Sequence, residues 1–280
     1  MRLAREEESC TFCCSSVRSR SLINALSIEL FQESLVLPEF PKLKSLRGLG
    51  ISDKAEYAEQ LEHKFDYRNT FYDRPPLLDL MNPPSSEFGQ YDFVIASDVL
   101  EHVSPPAQTG FHNIWKLLRP GGIAIMTVPY SVEAVGTSER FPQLNQYCVS
   151  EIGGRAVLVN RTVAGEFQVF DDLVFHLAAS PSLEMREFSE TGLRELLANL
   201  SFGVPNWYGA SHDSYGIVWP EPWSLPFALR KGEASFSPAT IRELVNELKV
   251  ARLEAVVQKS SLDHLNRRRW TRMGRAVKLL

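Results

Sequence analysis

Apolar residues along the chain fall into short unbroken runs separated by stretches in which they recur every three or four positions. Phe93, Val94, Ile95 and Ala96 form one such run of β-formers, the pattern of a strand buried on both faces. Asp98 stands three residues before Glu101, which reads as a capping-box helix start. Over about 107–118, Phe111, Ile114, Trp115 and Leu118 recur at helical spacing. The helix stops at RPGG, because Pro120 cannot continue it and two glycines permit a sharp turn. GIAIMTVPY, 122–130, is a second buried strand. Strand, helix and strand in this order predict a right-handed βαβ unit with parallel strands. Upstream, Leu46–Ile51 reads as a strand and 54–64 as a helix with Tyr57, Ala58 and Leu61 on one side. Residues 19–32 read as helical, and an apolar segment ends at LLDL, 77–80, before the turn-rich NPPSSEFGQ. The alternation predicts an α/β domain with a doubly wound, mostly parallel sheet.

Beyond Tyr130 the pattern changes. RAVLVNRTVAGEFQVF carries two alternating runs around a glycine, a hairpin signal, so 131–187 reads as a β-hairpin insertion. Order returns at FSETGLRELLANLSFG, where Ser189 is a cap and Leu193, Leu196, Leu197 and Leu200 form an apolar face. A strand near 204–208 follows, and YGIVW with WSLPFAL suggests a last strand pair. Ser237 followed by Pro238 starts a long C-terminal helix. The expected organisation is one domain over 1–236, with 131–187 as the acceptor region, and a helix over 237–280.

Composition narrows the class. The 280 residues are 44% hydrophobic and 23% charged, a globular balance with length enough for a real core. No uncharged apolar run approaches the roughly 18 residues of a membrane span, and three consecutive glutamates occupy the place of a signal peptide's apolar stretch. The expectation is a cytoplasmic protein. The net charge of −4 gives no support for a nucleic-acid partner, but it is unevenly spread. Residues 267–280 carry five arginines and one lysine with no acid, a +6 segment that leaves −10 for the rest. Trp270, Met273, Val277 and Leu280 recur opposite those cations, so this end reads as a basic amphipathic helix. It could lie peripherally on an anionic membrane, self-associate, or pack on its own domain.

The order of these segments resembles class I S-adenosylmethionine-dependent methyltransferases. The resemblance rests on GLGISDKAEYAEQL, LLDL, YDFVIASDVLEHV, LLRPGGIAIMTVPY and FSETGLRELLANLSFG, over 46–130 and 187–229. More narrowly, NTFYDRPPLLDL, ERFPQLNQY, VLVNRT, FDDLVFH and SLEMREFSE are similar to a bacterial subfamily often found with glycosyltransferase genes. The resemblance implies S-adenosylmethionine as cofactor and a small-molecule or glycan acceptor methylated on oxygen or nitrogen. It implies that Asp79 and Leu80 lie beside adenine, that Ser97 and Asp98 face the methionine portion, and that Gly50, Ser52 and Asp53 lie at the cofactor. His102 becomes the candidate base, because imidazole titrates near neutrality. Tyr130 would border the acceptor, and Arg140 and His176 would contact it.

Departures from that family are specific. No alternating-glycine loop precedes residue 46, and its nearest counterpart is the turn CTFCCSSVRSRS, where Arg18 or Arg20 could meet a carboxylate. At the end of the next strand, the family's ribose-binding acid falls on Gly50, with Asp53 as a substitute. The subfamily has His where Arg140 stands. Two other readings therefore stay open: a catalytically silent methyltransferase-like binding module, and a nucleotide-sugar enzyme on the same sheet. Cys10, Cys13 and Cys14 form CxxCC, but no second pair completes a structural zinc set, so no metal is expected.

Overall fold

All seven residues of Tyr91–Ser97 are buried, and their side chains alternate between two separate cores. Phe93 and Ile95 pack on one face with Leu26, Phe31 and Phe65, while Val94 and Ala96 pack on the other with Phe111 and Met126. This strand is the middle of the protein. A computed structural model describes residues 5–11, 13–177, 181–219, 224–233 and 238–277. Side chains of 177, 181, 238–240, 255 and 262–277 lie outside that description.

In chain order the elements are α1 (Val17–Phe31), β1 (Leu43–Ile51), α2 (Ala55–Lys64), β2 (Phe65–Thr70), β3 (Tyr91–Ser97), α3 (Ala107–Leu117) and β4 (Leu118–Thr127). Short strands β5 (Tyr130–Ser131) and β6 (Ser138–Glu139) lead to β7 (Gln146–Ile152), β8 (Arg155–Arg161) and β9 (Phe167–Phe170). Then come β10 (Phe175–Leu177), β11 (Pro181–Leu183), β12 (Arg186–Ser189), α4 (Glu190–Ala198), β13 (Asn206–Trp207), β14 (Phe227–Arg230) and α5 (Pro238–Val277). The main sheet has six strands in the order β13-β14-β4-β3-β1-β2. Strands β1 to β4 run parallel, and β14 and β13 add antiparallel at one edge. The mixed α/β sheet agrees with the predicted class.

Each helix lays an apolar stripe on this sheet. On α3 the stripe is Phe111, Ile114 and Leu117; on α4 it is Leu193 and Leu197, both against the second core. Helix α1 buries Leu22, Leu26 and Leu30 in the first core, where the start of α5 adds Ile241 and Val245. The predicted cap at Ser189 is present: its hydroxyl accepts from the Gly192 amide at 2.9 Å. Ser16 caps α1 in the same way.

Several local expectations change. Residues 98–103 form a turn rather than a helical first turn, and Asp98, at φ 52°, caps nothing. The RPGG segment lies inside β4, whose pairing with β3 is irregular between Tyr91 and Phe93. LLDL forms no strand; Leu77 makes an isolated bridge to Phe71, and the Leu80 carbonyl accepts from Asn113. Strand β2, FDYRNT, is an edge strand that begins directly after α2 with no turn residue to mark the boundary. The last strand pair is β13 with β14, and Ile217 of YGIVW makes only an isolated bridge to His212.

Residues 146–170 form an antiparallel sheet of β7, β8 and β9, with Gly165 at φ 89° in the β8–β9 turn. Phe141, Leu158, Leu183 and Met185 give this region a small core of its own. In α5 the helical backbone reaches Val277, while the side chains of the basic end and residues 278–280 lie outside the described residues.

Candidate functional site

From β1 the chain passes through α2 to β2 on one side, whereas β3 lies on the other side of β1. The carboxyl ends of β1 and β3 thus flank a topological switch point, the place where open α/β sheets hold ligands. Gly50 pairs with Ile95 and Ile51 with Ala96, so Ser52 and Ser97 come next in register. Both strands end in a left-handed residue, Ser52 at φ 59° and Asp98 at φ 52°. Gly50, Ser52, Asp53, Ser97 and Asp98, five of the predicted positions, therefore meet at one crevice.

Strand order corrects one expectation and keeps another. Gly48 and Gly50 lie within β1 and Ser52 follows its carboxyl end, while the CTFCCSSVRSRS segment leads into α1 as its sequence suggested. The next strand ends at Asn69 and Thr70, so Gly50 does not stand at the position of an acid closing that strand.

Asp53 is a buried hub. Its Oδ1 accepts from Tyr57 at 2.7 Å, its Oδ2 accepts from Tyr67, and the Asn69 side chain bridges its backbone on both sides. Burial pushes its carboxyl up to about 7, against the lowering effect of the two tyrosine bonds. A Cβ on Gly50 would come within 2.6 Å of Asp53 Oδ2 and 2.8 Å of Asn69 Oδ1, so the glycine makes room for this cluster.

Asp98 carries the crevice's main charge pair. Arg5 grips it with two bonds of 2.8 and 2.9 Å, Thr127 donates at 2.7 Å, and Arg18 approaches to 3.3 Å. Burial opposes ionisation here, but Arg5 and Arg18 outweigh it and hold the carboxyl well below the usual range. Arg18 also donates to Ser97 Oγ at 2.8 Å and to Glu6. Arg20, the other predicted cation, is committed to Ser9, Ser15 and the Gly216 carbonyl.

The 131–187 region returns to this end of the sheet through 183–186. The Met185 amide donates to the Glu101 carbonyl at 2.8 Å, and Arg186 donates to the Leu100 carbonyl and to Glu139. His102 Nδ1 lies 2.9 Å from the Leu183 carbonyl. An Nδ1–H donor there leaves Nε2 as the nitrogen with a free lone pair. Burial lowers the His102 pKa, which favours that neutral ring. His176 sits edge-on to His102 with ring centres 4.9 Å apart, and its Nε2 is 2.7 Å from Glu184. Arg140 binds the same Glu184 through two nitrogens. His102, His176 and Arg140 are thus brought together around Glu184. Glu101 lies beneath them, 2% exposed in its side chain, with neither carboxylate oxygen hydrogen-bonded among the described residues. Burial and the charge on Asp98 push its carboxyl well above the ordinary range.

Tyr130 and Asp79 stand apart from this group. Tyr130 is buried in the second core against Trp207, with its hydroxyl 3.5 Å from the Leu225 amide. Asp79 closes its own turn, accepting from the Met81 amide and from Asn82, while Leu80 is buried and its carbonyl is held by Asn113.

Arg5, Thr127, Glu184 and Arg186 were not anticipated. Thr127 ends a buried strand with a hydroxyl, and Glu184 and Arg186 interrupt the apolar SLEMREF; polar residues in such settings were the available signal.

Residues 33–124 match the model of a methyltransferase domain. No curated protein matches the chain. Among solved structures, a 1,6-didemethyltoxoflavin-N1-methyltransferase from Burkholderia thailandensis is 17% identical, covering 78% of each chain at a TM-score of 0.42. An amino pentose methyltransferase from Micromonospora echinaspora is 11% identical, covering 78% of this chain and 92% of that one at 0.42. A sugar N-methyltransferase from Streptoalloteichus has the same identity and score, covering 78% and 89%. Likeness at this level carries no argument about substrate.

Proposed function

We propose that this protein binds S-adenosylmethionine at the β1–β3 crevice and transfers its methyl group to oxygen or nitrogen of a small-molecule or glycan-type acceptor. The carrying observation is the charge set at the end of β3, where one carboxylate, Asp98, stands among two guanidiniums. The cofactor's amino-acid tail has an ammonium and a carboxylate. Asp98 suits the first, and Arg5 and Arg18 suit the second, so the residues present fit the group. When bound, the cofactor supplies an electrophilic methyl on a sulfonium, attacked in line by the acceptor.

The chain's own work is positioning. Gly50 keeps side-chain bulk away from the end of β1, and the Asp79 turn, whose Leu80 is buried in the second core, is this reading's place for the base. Asp79 already accepts two bonds, and a carboxylate has room for a further donor such as an exocyclic amine. His102, His176 and Arg140 line the acceptor side, where the 131–187 region closes over the crevice end. A proton leaving the acceptor has His102 Nε2 as its nearest basic nitrogen in the metal-free protein.

One observation favours a second reading, a catalytically silent binding module. Asp98 and Asp53, the two crevice acids, are both already paired within the chain. Thermal unfolding separates the readings: S-adenosylmethionine and S-adenosylhomocysteine raise the melting temperature of an active-type crevice, and sugar nucleotides do not. A chain stabilised only by sugar nucleotides would overturn the proposal, and one indifferent to all would establish the silent module.

A further inference from the structure

We infer that Glu101, His102 and His176 form a binding site for a first-row divalent transition cation such as Zn²⁺, Mn²⁺ or Co²⁺. The potential ligand atoms of these three residues all lie within 4.8 Å of one another. Ligand bonds of about 2.1 Å place neighbouring ligand atoms about 3 to 4 Å apart, and Glu101 Oε1 and His102 Nε2 are already at 3.7 Å. His176 is 42% exposed and has room to close the rest.

Glu101 supplies the independent observation. Its carboxyl is almost wholly buried, yet no hydrogen bond reaches either oxygen among the described residues. Buried polar groups are ordinarily satisfied, and a cation facing the two imidazoles satisfies this one.

The outer contacts point the same way. The Leu183 carbonyl takes His102 Nδ1–H and leaves Nε2 as the donor atom. Glu184 takes His176 Nε2–H and leaves Nδ1. Carboxylates and carbonyls holding the far nitrogen of each ring are how ligating histidines are oriented. Arg140, whose Nε and Nη2 both donate to Glu184 Oε1, fixes that carboxylate in place. Two imidazoles and one carboxylate suit first-row transition ions better than Mg²⁺ or Ca²⁺, and they leave coordination positions open. An acceptor hydroxyl bound there would be acidified by the ion, so a ligated His102 need not take the proton itself. The site goes beyond the methyl-transfer reading and stands without it, because its test needs no cofactor.

The test is a titration of the full chain, stripped of metal and kept reduced, with Co²⁺ followed by visible absorption and with Zn²⁺ followed by calorimetry. The expected result is one site per chain, with cobalt ligand-field bands and no thiolate charge-transfer band. Glu101→Gln and His176→Ala should each weaken binding at least about tenfold, and Glu184→Gln, which removes no ligand, about tenfold. His176→Ala, at a half-exposed position, keeps the test informative if Glu101→Gln does not fold. Absence of binding, unchanged affinity in the folded variants, or a cobalt spectrum dominated by thiolate from Cys10, Cys13 and Cys14 would each overturn the inference.

Discussion

Asp53 shows how a single residue can look like a ligand in the sequence and act as a structural hub in the fold. An acid just past a strand end is where a ribose-binding group is sought, and the spacing of Asp53 met that expectation. In the structure both of its oxygens accept from tyrosines, and burial raises its pKa to about 7. The folded protein therefore holds this proton more tightly than the unfolded chain. Stability from Asp53 is fully present below about pH 4, is lost as pH rises to about 7, and stays lost above that. Three units correspond to on the order of 4 kcal/mol. Denaturant unfolding of wild type and Asp53→Asn from pH 4 to 8 should show the wild type losing ground to the variant across that window. A constant difference would place the carboxyl at an ordinary pKa. Asp98 has the opposite sign: its lowered pKa adds stability that disappears only on acidification.

Among the elements, the buried strands were the most legible. Phe93–Ala96 and the GIAIMT run are apolar at every position, and no surface element tolerates that pattern. Strand β2 was harder to delimit because it abuts α2 at Lys64–Phe65, and no glycine, proline or other turn residue separates the helical period from the alternation of Phe65 to Arg68. The site's acceptor side could be read only in part. Its histidines were visible as residue types, but their assembly depends on Leu183–Arg186 returning to the turn after β3, a contact of long sequence separation that no periodicity encodes. Arg186 anchors that return with a fully buried side chain bonded to Glu139 and the Leu100 carbonyl. Arg186→Met leaves both acceptors without their partner and should cost about 2–4 kcal/mol in denaturant unfolding. A loss below about 0.5 kcal/mol would mean that the 131–187 region is held by other contacts.

The main sheet has a core on each face, and among its described side chains α5 joins one of those cores at its start. Ile241 and Val245 are buried with α1, whereas Val250, Leu253, Val256 and Val257 are exposed. Ile241→Ala should therefore destabilise the fold by about 2–4 kcal/mol, while Val257→Ala should change it by less than about 0.5 kcal/mol. Equal effects from both would show that the helix packs along its length. No helix among the described residues is long and apolar enough to cross a membrane. The +6 charge that separates residues 267–280 from the acidic remainder is a property of the sequence, and the structure adds that its backbone through Val277 is helical. The central claim concerns the other end of the sheet, where Asp98, Arg5 and Arg18 meet beside Gly50 and Ser52. Isothermal titration of the full chain with S-adenosylmethionine tests it most directly. The account predicts saturable binding of one cofactor per chain, weakened at least about tenfold by Arg18→Ala, which removes one charge-assisted partner of the tail. No heat of binding at millimolar cofactor would contradict it.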